Sequence, residues 1–191
     1  MKKLLAVGSA VLVLALGVVG VASAHSPSEQ GLFTTPYASS QSTFNQAFRI
    51  DTGDVQARTG ADNGTPVLRV YTNPYAHSEL DAVLSVSGDK VYKGAYLNED
   101  NKIFDLVGNM VTRARVGGSP STDPANVVYL IQGDTIYRGA YANFDQIAYR
   151  FDEHTLYRGA YKNFDAIVFT SDAPLQGNLA RILGILADGA F

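Results

Sequence analysis

The sequence predicts an all-β protein of about five tandem β-hairpin repeats, each of about 20 residues, closed by a C-terminal capping helix. Three observations support this fold class. A nine-residue motif recurs along the chain, side chains alternate around it as they do in strands, and the end of the chain changes to helical spacing. The copies must then pack on one another in a ring, a barrel-like closure or a short solenoid, because a single hairpin is marginally stable.

The composition and charge are typical of one packed domain with no nucleic-acid partner. Of the 191 residues, 46% are apolar and 17% are charged. Lys and Arg total 15 against 18 Asp and Glu; loss of Lys2 and Lys3 with the leader described next leaves 13 against 18, a net charge of −5. This balance lacks the basic footprint of a nucleic-acid binder. The chain has no Cys, so packing and strand pairing must stabilise it.

Residues 1–24 predict a secretory signal peptide. Lys2 and Lys3 precede an apolar run that begins at Leu4, and Ala22-Ser23-Ala24 supplies the small residues of a cleavage site before His25. A retained membrane anchor is the alternative, because the run approaches the roughly 20 residues that span a bilayer. The short Lys-Lys leader looks bacterial, and its removal predicts a secreted, periplasmic or cell-surface protein.

The rest of the chain divides into an arm and one domain. Residues 25–43 are rich in Ser, Thr and Pro and predict a flexible arm. Residues 44–191 predict a single β-hairpin repeat domain, interrupted by a Gly- and Pro-rich loop at 117–126.

The repeat is the strongest pattern in the sequence. YRGAYANFD at 137–145 and YRGAYKNFD at 157–165 match at eight of nine positions, and YKGAYLNED at 92–100 is a third copy. TRARV at 112–116 is a degenerate fourth copy, and YTNPYAHSE at 71–79 is a fifth candidate that keeps the two tyrosines. Such a fixed short period predicts one supersecondary unit used several times.

Each copy predicts a β-hairpin, and its glycine predicts a packing contact. Alternation places Tyr137, Gly139 and Tyr141 on one strand face and Arg138 on the other. A glycine inside a strand costs about 0.5 to 1 kcal/mol relative to Ala. We expect an aromatic ring from a neighbouring strand to lie across the glycine, where no Cβ obstructs it, and to offset that cost.

Residues 175–187 predict the C-terminal helix. Leu175, Leu179, Ile182, Leu183 and Leu186 follow helical spacing, and a glycine follows the stretch as a stop signal. We expect the helix to cap the array by lying on the last hairpin. A docking helix for a membrane or a partner is the alternative.

The repeated motif resembles two families of tandem hairpins. The Tyr-basic-Gly-x-Tyr units, spaced near 20 residues and ending in a short apolar helix, look like bacterial β-flower domains, and more weakly resemble MORN repeats. Either resemblance implies an accessory, scaffolding or surface-binding module without a catalytic set. The matched positions are Tyr92, Gly94, Tyr96, Asn98, Tyr137, Gly139, Tyr141, Asn143, Tyr157, Gly159, Tyr161 and Asn163.

The repeated tyrosines and basic residues are the candidate ligand-binding residues. We interpret the rings first as core side chains; rings that face water would instead suit stacking on sugar rings. The basic residues, including Lys93, predict a solvated stripe on the opposite face, with acidic polysaccharide or anionic lipid as the functional alternative. The candidates are Tyr92, Tyr96, Tyr137, Tyr141, Tyr157, Tyr161, Arg138 and Arg158.

Two metal sites are possible from residue types. A free amine and imidazole at a mature N-terminal His25 could chelate copper, with His77 or His154 as a further ligand, in an arrangement that resembles a histidine brace. The repeated Asn-x-Asp loops, such as 98–100, offer oxygen ligands for calcium but equally suit hairpin turns. The sequence predicts no cofactor, and copper and calcium are the open alternatives.

The sequence predicts a non-enzyme. No phosphate-binding loop, His-Glu-x-x-His motif or Gly-x-Ser-x-Gly motif occurs in it. The leading hypothesis is an exported structural or protein-interaction repeat domain, with a protein partner or self-association. The alternatives are a carbohydrate or cell-wall binding module that uses exposed Tyr rows, and a copper-binding protein that uses His25.

Overall fold

The computed structural model describes residues 29–37, 41–52, 66–76, 78–115 and 117–191. Over these ranges, twelve antiparallel strands form a closed barrel in which each strand pairs with its neighbours in the chain, and β1 pairs with β12. One α-helix, α1 (Gly177–Asp188), follows the last strand. The strands are β1 (Glu29–Phe33), β2 (Gln46–Asp51), β3 (Val67–Tyr71), β4 (Leu84–Ser87), β5 (Lys90–Lys93), β6 (Lys102–Val107), β7 (Met110–Arg113), β8 (Val127–Gln132), β9 (Thr135–Arg138), β10 (Ile147–Phe151), β11 (Thr155–Arg158) and β12 (Ile167–Ser171).

The two ends of the barrel differ. At one end, short turns such as Gly133-Asp134 join β4 to β5, β6 to β7, β8 to β9 and β10 to β11; the longer connection between β2 and β3, described only in part, lies there as well, and we call this the turn end. At the other end, longer connections follow β1, β3, β5, β7, β9 and β11, and each of these six contains a short 3-10 helix before the next strand begins. We call this second end the loop end.

The predicted all-β hairpin array is confirmed, with a barrel as its form of closure. The barrel holds six hairpin units where the sequence predicted about five. The predicted copies correspond to β3–β4, β5–β6, β7–β8, β9–β10 and β11–β12, β1–β2 is the sixth unit, and pairing of β12 with β1 closes the ring. The predicted flexible arm over 25–43 is therefore wrong for Glu29–Phe33, which form β1. Leu32 and Phe33 of this strand are buried, and pairing on both sides leaves neither β2 nor β12 with an open edge. The predictions for residues 1–24, His25 and His77 lie outside the described residues.

The recurrent glycines end their strands. Gly94, Gly139 and Gly159 follow the last residues of β5, β9 and β11 and have φ angles of +72°, +79° and +78°. No ring lies across them: a Cβ at Gly139 or Gly159 would meet no atom within 4 Å, and one at Gly94 would meet only the Ala82 carbonyl oxygen at 3.8 Å. The expected aromatic contact is wrong, and the left-handed backbone that turns each strand into its loop explains the glycine.

Alternation along each strand separates the lumen from the outer wall. Ile136 of β9 faces the lumen and is 1% exposed, whereas Tyr137 faces outward. The loops fold back against the outer wall: Arg69 contacts Glu79 at 3.1 Å, and Lys162 contacts Asp134 at 2.8 Å. As a result, several residues of the outer wall are buried under the loops. Among them are Tyr71, Tyr92, Asp105 and Thr112.

Helix α1 fills the lumen. Its residues Ile182–Leu186 are all buried, and five consecutive residues span more than one helical turn, so the barrel encloses the helix on every side. These residues form one hydrophobic cluster with the lumen side chains of the strands. A barrel of this strand number is wide enough for a helix. The predicted C-terminal capping helix is confirmed, and it closes the array from within instead of lying on the last hairpin.

The helix begins at the turn end and ends at the loop end. Near its start, Arg181 contacts Asp89 and the Gly108 carbonyl, both in turns, at 2.9 and 3.0 Å. At mid-helix, a Cβ on Gly184 would lie 3.1 Å from the Tyr129 ring, so a larger residue here would require the ring to shift by a few tenths of an ångström. No helix among the described residues is long and apolar enough to cross a membrane.

Candidate binding surface at the loop end

Large apolar side chains are exposed only in the connections of the loop end, as far as the structure describes the chain. We call these nine residues the aromatic loop surface. None of them lies in a strand or in a turn of the opposite end. An apolar surface concentrated in one region of a protein is typical of a binding site. The residues are Tyr37, Phe44, Tyr75, Leu80, Tyr96, Tyr141, Phe144, Tyr161 and Phe164.

Contacts between neighbouring loops make much of this surface continuous. The rings of Phe144 and Tyr161, from the β9–β10 and β11–β12 loops, lie edge to face with centroids 6.4 Å apart. Phe164 then contacts Tyr37 of the β1–β2 loop, with centroids 5.4 Å apart. The Tyr75 hydroxyl of the β3–β4 loop donates to Thr43 Oγ1 at 3.1 Å. Four successive loops thus form one arc around the barrel.

The fold does not require Phe144 and Phe164. Both occupy the first position of a 3-10 helix and are 67% and 55% exposed. Because the same helix in other loops begins with Thr43, Glu79 or Glu99, a polar residue is compatible with this position. Packing of the barrel core therefore gives no reason for the two exposed phenylalanines, whose ring contacts are only with other exposed rings.

The amide and carboxylate groups next to Phe144 and Phe164 in the chain form no side-chain hydrogen bond or ion pair with other described residues. In the β5–β6 loop, the Asn98 side chain accepts a hydrogen bond from the Asn101 backbone at 3.0 Å and so caps the 3-10 helix. The equivalent Asn143 and Asn163 make no such bond. The carboxylates of Asp145 and Asp165, one residue beyond each Phe, form no hydrogen bond or ion pair with other described residues. Two adjacent loops therefore present the same ring, amide and carboxylate.

Four basic residues surround the mouth of the lumen at this end, and we call them the mouth cations. They are the last residues of β5, β7, β9 and β11. Each lies directly across from a lumen residue, as Lys93 does from Leu84 and Arg113 from Phe104, and paired residues share a sheet face. Of the four, only Arg138 forms an ion pair within the described ranges. The mouth cations are Lys93, Arg113, Arg138 and Arg158.

Arg138 holds the end of the central helix. Its guanidinium contacts the Asp188 carboxylate at 2.9 Å, and the hydroxyls of Tyr129 and Tyr149 donate to the same carboxylate. Burial opposes ionisation of Asp188, but the hydrogen bonds from Tyr129, Tyr149 and Arg138 outweigh it and lower the carboxyl pKa. Burial and the bond to Asp188 raise the pKa of Tyr149 to about 12. This cluster fixes α1 in the barrel.

A second group of charges fastens the β11–β12 loop to the wall. Asp134 accepts hydrogen bonds from Arg150 at 2.8 Å and contacts Lys162 at 2.8 Å. The hydrogen bonds from Arg150 and then Lys162 lower the pKa of Asp134 far below its usual range. The contact bridges a turn and a loop, so it holds the loop that carries Tyr161 and Phe164.

The structure separates the predicted tyrosines into two sets. Tyr92 is buried at 4% exposure, and Tyr137 and Tyr157 are half-buried on the outer wall. The second tyrosine of each motif is exposed, and the core interpretation is wrong for this set because the strand ends before it. The exposed set is Tyr96 at 63%, Tyr141 at 59% and Tyr161 at 66%.

Several residues of the aromatic loop surface were not predicted from the sequence. Tyr37, Phe44, Tyr75, Phe144 and Phe164 were not among the predicted site residues. The sequence did contain one signal for Phe144 and Phe164: the two most similar copies of the motif both have Phe at this position. Of the predicted basic residues, Arg138 is engaged by Asp188, and Arg158 is exposed at the mouth.

The metal alternatives gain no support from the described residues. No group of three or more His, Asp or Glu side chains that could hold a metal ion occurs among them. The His154 backbone donates to Asp152 at 3.0 Å, and its ring lies beside the Ser171 carbonyl. A cavity of about 350 Å³ at the turn end is lined in part by Gln30, Pro174 and Leu179, and none of the described residues that line it has an ionisable side chain.

Comparison with known families identifies the repeat. A family model described as a 6-fold beta flower protein matches residues 70–178, which is more than half of the chain. The chain belongs to the 6-fold beta flower protein family. The six hairpin units of the barrel agree with the six-fold description of the beta flower. Comparison with curated proteins and with solved structures gave no match.

Proposed function

We propose that this beta flower chain is an exported, non-catalytic interaction domain that binds its partner through the aromatic loop surface. One observation carries the proposal: all nine large apolar side chains that are exposed among the described residues lie in connections at one end. Exposed rings at positions where the fold accepts polar residues cost solubility, so retaining them is best explained by contact with a partner.

The perturbed ionisable groups support a structural role rather than chemistry. Asp188 and Tyr149, whose pKa values are shifted, hydrogen-bond to each other at the end of α1. Asp134 is shifted by Arg150 and Lys162 on the outer wall. Each shift thus accompanies a contact that holds the helix or a loop in place, and neither cluster pairs a nucleophile with a base in a cleft.

The leader supports export, and the sequence hypotheses offer more than one class of partner. A protein partner or a second copy of the chain would cover the exposed rings in the way of an interface core. A polysaccharide is the second candidate, favoured by the uncommitted polar groups beside Phe144 and Phe164. Copper binding through His25 is the third candidate, and His25 lies outside the described residues.

A surface variant tests the proposed function. The chain beginning at His25 is compared with Y141S/F144S/Y161S/F164S for cosedimentation with bacterial cell envelopes, and for self-association by light scattering. We expect the wild type to bind or self-associate and the variant to lose this by at least about tenfold, because each exposed ring removed costs on the order of 1 kcal/mol. The two proteins should melt at similar temperatures.

The control is Q132A/E153A, which changes exposed residues of the turn end and should bind as the wild type does. Equal binding by the ring variant, or a wild type that neither binds envelopes nor self-associates, would contradict the proposal.

A further inference from the structure

We infer that the partner of the aromatic loop surface is a hydroxyl-rich polysaccharide, bound by the β9–β10 and β11–β12 loops through their rings, amides and carboxylates. The inference rests on the proposed function and specifies its ligand. It depends on three observations: two adjacent loops carry the same exposed side chains, the polar groups among them are uncommitted, and the rings contact each other across the loops.

The rings supply the apolar half of such a site. A pyranose ring presents C–H groups on one face and hydroxyls at its edge, so it packs on an aromatic side chain while its hydroxyls need hydrogen-bonding partners. Tyr161 and Phe164 are 66% and 55% exposed, and Phe144 lies against Tyr161. Rings fixed by contact with one another lose little side-chain freedom when a ligand covers them.

The polar groups supply the other half. Asn143 and Asn163 are not used as helix caps, although the same residue type caps its helix at Asn98. An amide both donates and accepts, and a carboxylate accepts from two hydroxyls, so Asn163 with Asp165 can bind neighbouring hydroxyls of one sugar. Asn163 and Asp165 flank Phe164 in the chain, Asn143 and Asp145 flank Phe144, and all four are exposed, so they are available to hydroxyls of a sugar bound at the rings.

Duplication of the site suits a polymer. The β9–β10 and β11–β12 loops are neighbours around the barrel and present Tyr-x-Asn-Phe-Asp in the same geometry. A chain of repeating sugars can occupy both at once, and the second contact then forms at a high effective concentration. The arrangement thus gains affinity for a polymer that it would not have for a single sugar.

The carboxylates disfavour the other partners for these two loops. Insertion of Phe144 and Phe164 into a lipid bilayer would carry Asp145 and Asp165 away from water, which is costly for a charged group. A two-fold contact with a second copy through the same loops would bring like carboxylates together. A polysaccharide instead uses these groups as hydrogen-bond acceptors.

Binding to purified polysaccharides tests the inference. The chain beginning at His25 is sedimented with peptidoglycan sacculi, chitin and cellulose, at about 50 mM and about 500 mM NaCl. We expect binding to at least one of the three, a loss of about tenfold in Y161S/F164S and again in N163A/D165A, and little effect of salt. The Q132A/E153A variant should bind as the wild type does.

Each contrary outcome has a distinct meaning. If none of the three polysaccharides is bound while ring-dependent binding to cell envelopes or self-association persists, the inference is overturned and the proposed function stands. If that binding is absent as well, both fail. Polysaccharide binding abolished by salt would assign it to the mouth cations and overturn the inference, as would full binding by N163A/D165A in a protein of unchanged melting temperature.

Discussion

Single residues set the shape of each loop, and the repeated glycine is the clearest case. Gly139 has a φ angle of +79° at the point where β9 ends and the loop begins. No atom lies within 4 Å of the position where its Cβ would be. Backbone conformation alone, and not lack of space, therefore makes glycine the suitable residue.

Substitution of Gly139 separates these two explanations. We expect G139A to lower the free energy of unfolding by about 1 to 2 kcal/mol, because an L-residue is strained in the left-handed region. Urea denaturation followed by circular dichroism measures the change. G139N is the matched variant and should lose less, since Asn tolerates this region better than Ala. An Ala variant as stable as the wild type would rule out the backbone explanation.

The repeat was readable from the sequence, but the reason for its glycine was not. Alternation correctly placed Tyr137 and Arg138 on opposite faces. It failed at Tyr141 because the pattern was extended through Gly139, and a residue type does not disclose the φ angle at which its strand ends. The candidate rings were thus found in part, while their exposure could not be predicted.

At the scale of elements, α1 is held at its end by one carboxylate. Asp188 accepts from Tyr129, Tyr149 and Arg138, and Gly184 allows the helix to approach the wall closely enough for this contact. The sequence predicted the helix, but side chains of residues about 40 to 60 positions away determine its place, and periodicity carries no information on such contacts.

Replacing Asp188 should loosen the helix in a pH-dependent way. We expect D188N to reduce the free energy of unfolding by about 1 to 3 kcal/mol at neutral pH, because it removes a charged acceptor from three donors. The folded pKa of Asp188 is lowered, so its stabilisation is complete above the unfolded pKa of about 3.9 and is lost as the pH falls through the folded value. Urea titrations from neutral pH down to about pH 2.5 measure the difference between the two proteins. It should stay constant above about pH 5 and shrink below pH 4; a difference independent of pH would contradict this account.

The tyrosines of the same cluster predict an alkaline transition. The folded pKa of Tyr149 is raised to about 12, so the fold favours the neutral phenol. The corresponding stability is complete below the unfolded pKa of about 10 and is lost as the pH rises through the folded value. We expect the wild type to lose stability between about pH 10 and pH 12 more steeply than Y149F. Phenolate absorbance measures the ionisation directly, and in the folded wild type Tyr149 should ionise well above pH 10. Titration of Tyr149 near pH 10 in the folded protein would disprove the prediction.

At the scale of the whole molecule, the barrel depends on a strand that composition did not reveal. Leu32 of β1 pairs with Ser171 of β12 and with Phe48 of β2. Local hairpins are predictable because both strands lie within one repeat, whereas this closure joins residues about 140 positions apart. The Ser and Pro residues around β1 are typical of an arm. Local sequence does not show that the edges of β2 and β12 require a further strand to pair with.

Two truncations test this closure. A chain beginning at Glu29 keeps β1, and a chain beginning at Thr34 lacks it. We expect the first to remain monodisperse and the second to aggregate or to lose at least about 3 kcal/mol of unfolding free energy, because Leu32 and Phe33 leave the core and two strand edges open. Light scattering and urea denaturation measure both outcomes. Equal behaviour of the two chains would mean that β1 is dispensable.

The ladder between β1 and β12 has mechanical consequences. It contains only two paired positions, Leu32 with Ser171 and Phe33 with Thr170, whereas β1 and β2 share five. Because the two strands are antiparallel, Glu29 and Ser171 emerge at the same end, so a force that separates them acts on one bond after another instead of on all together. Under tension the ring would unzip at this seam while the remaining hairpins stayed intact.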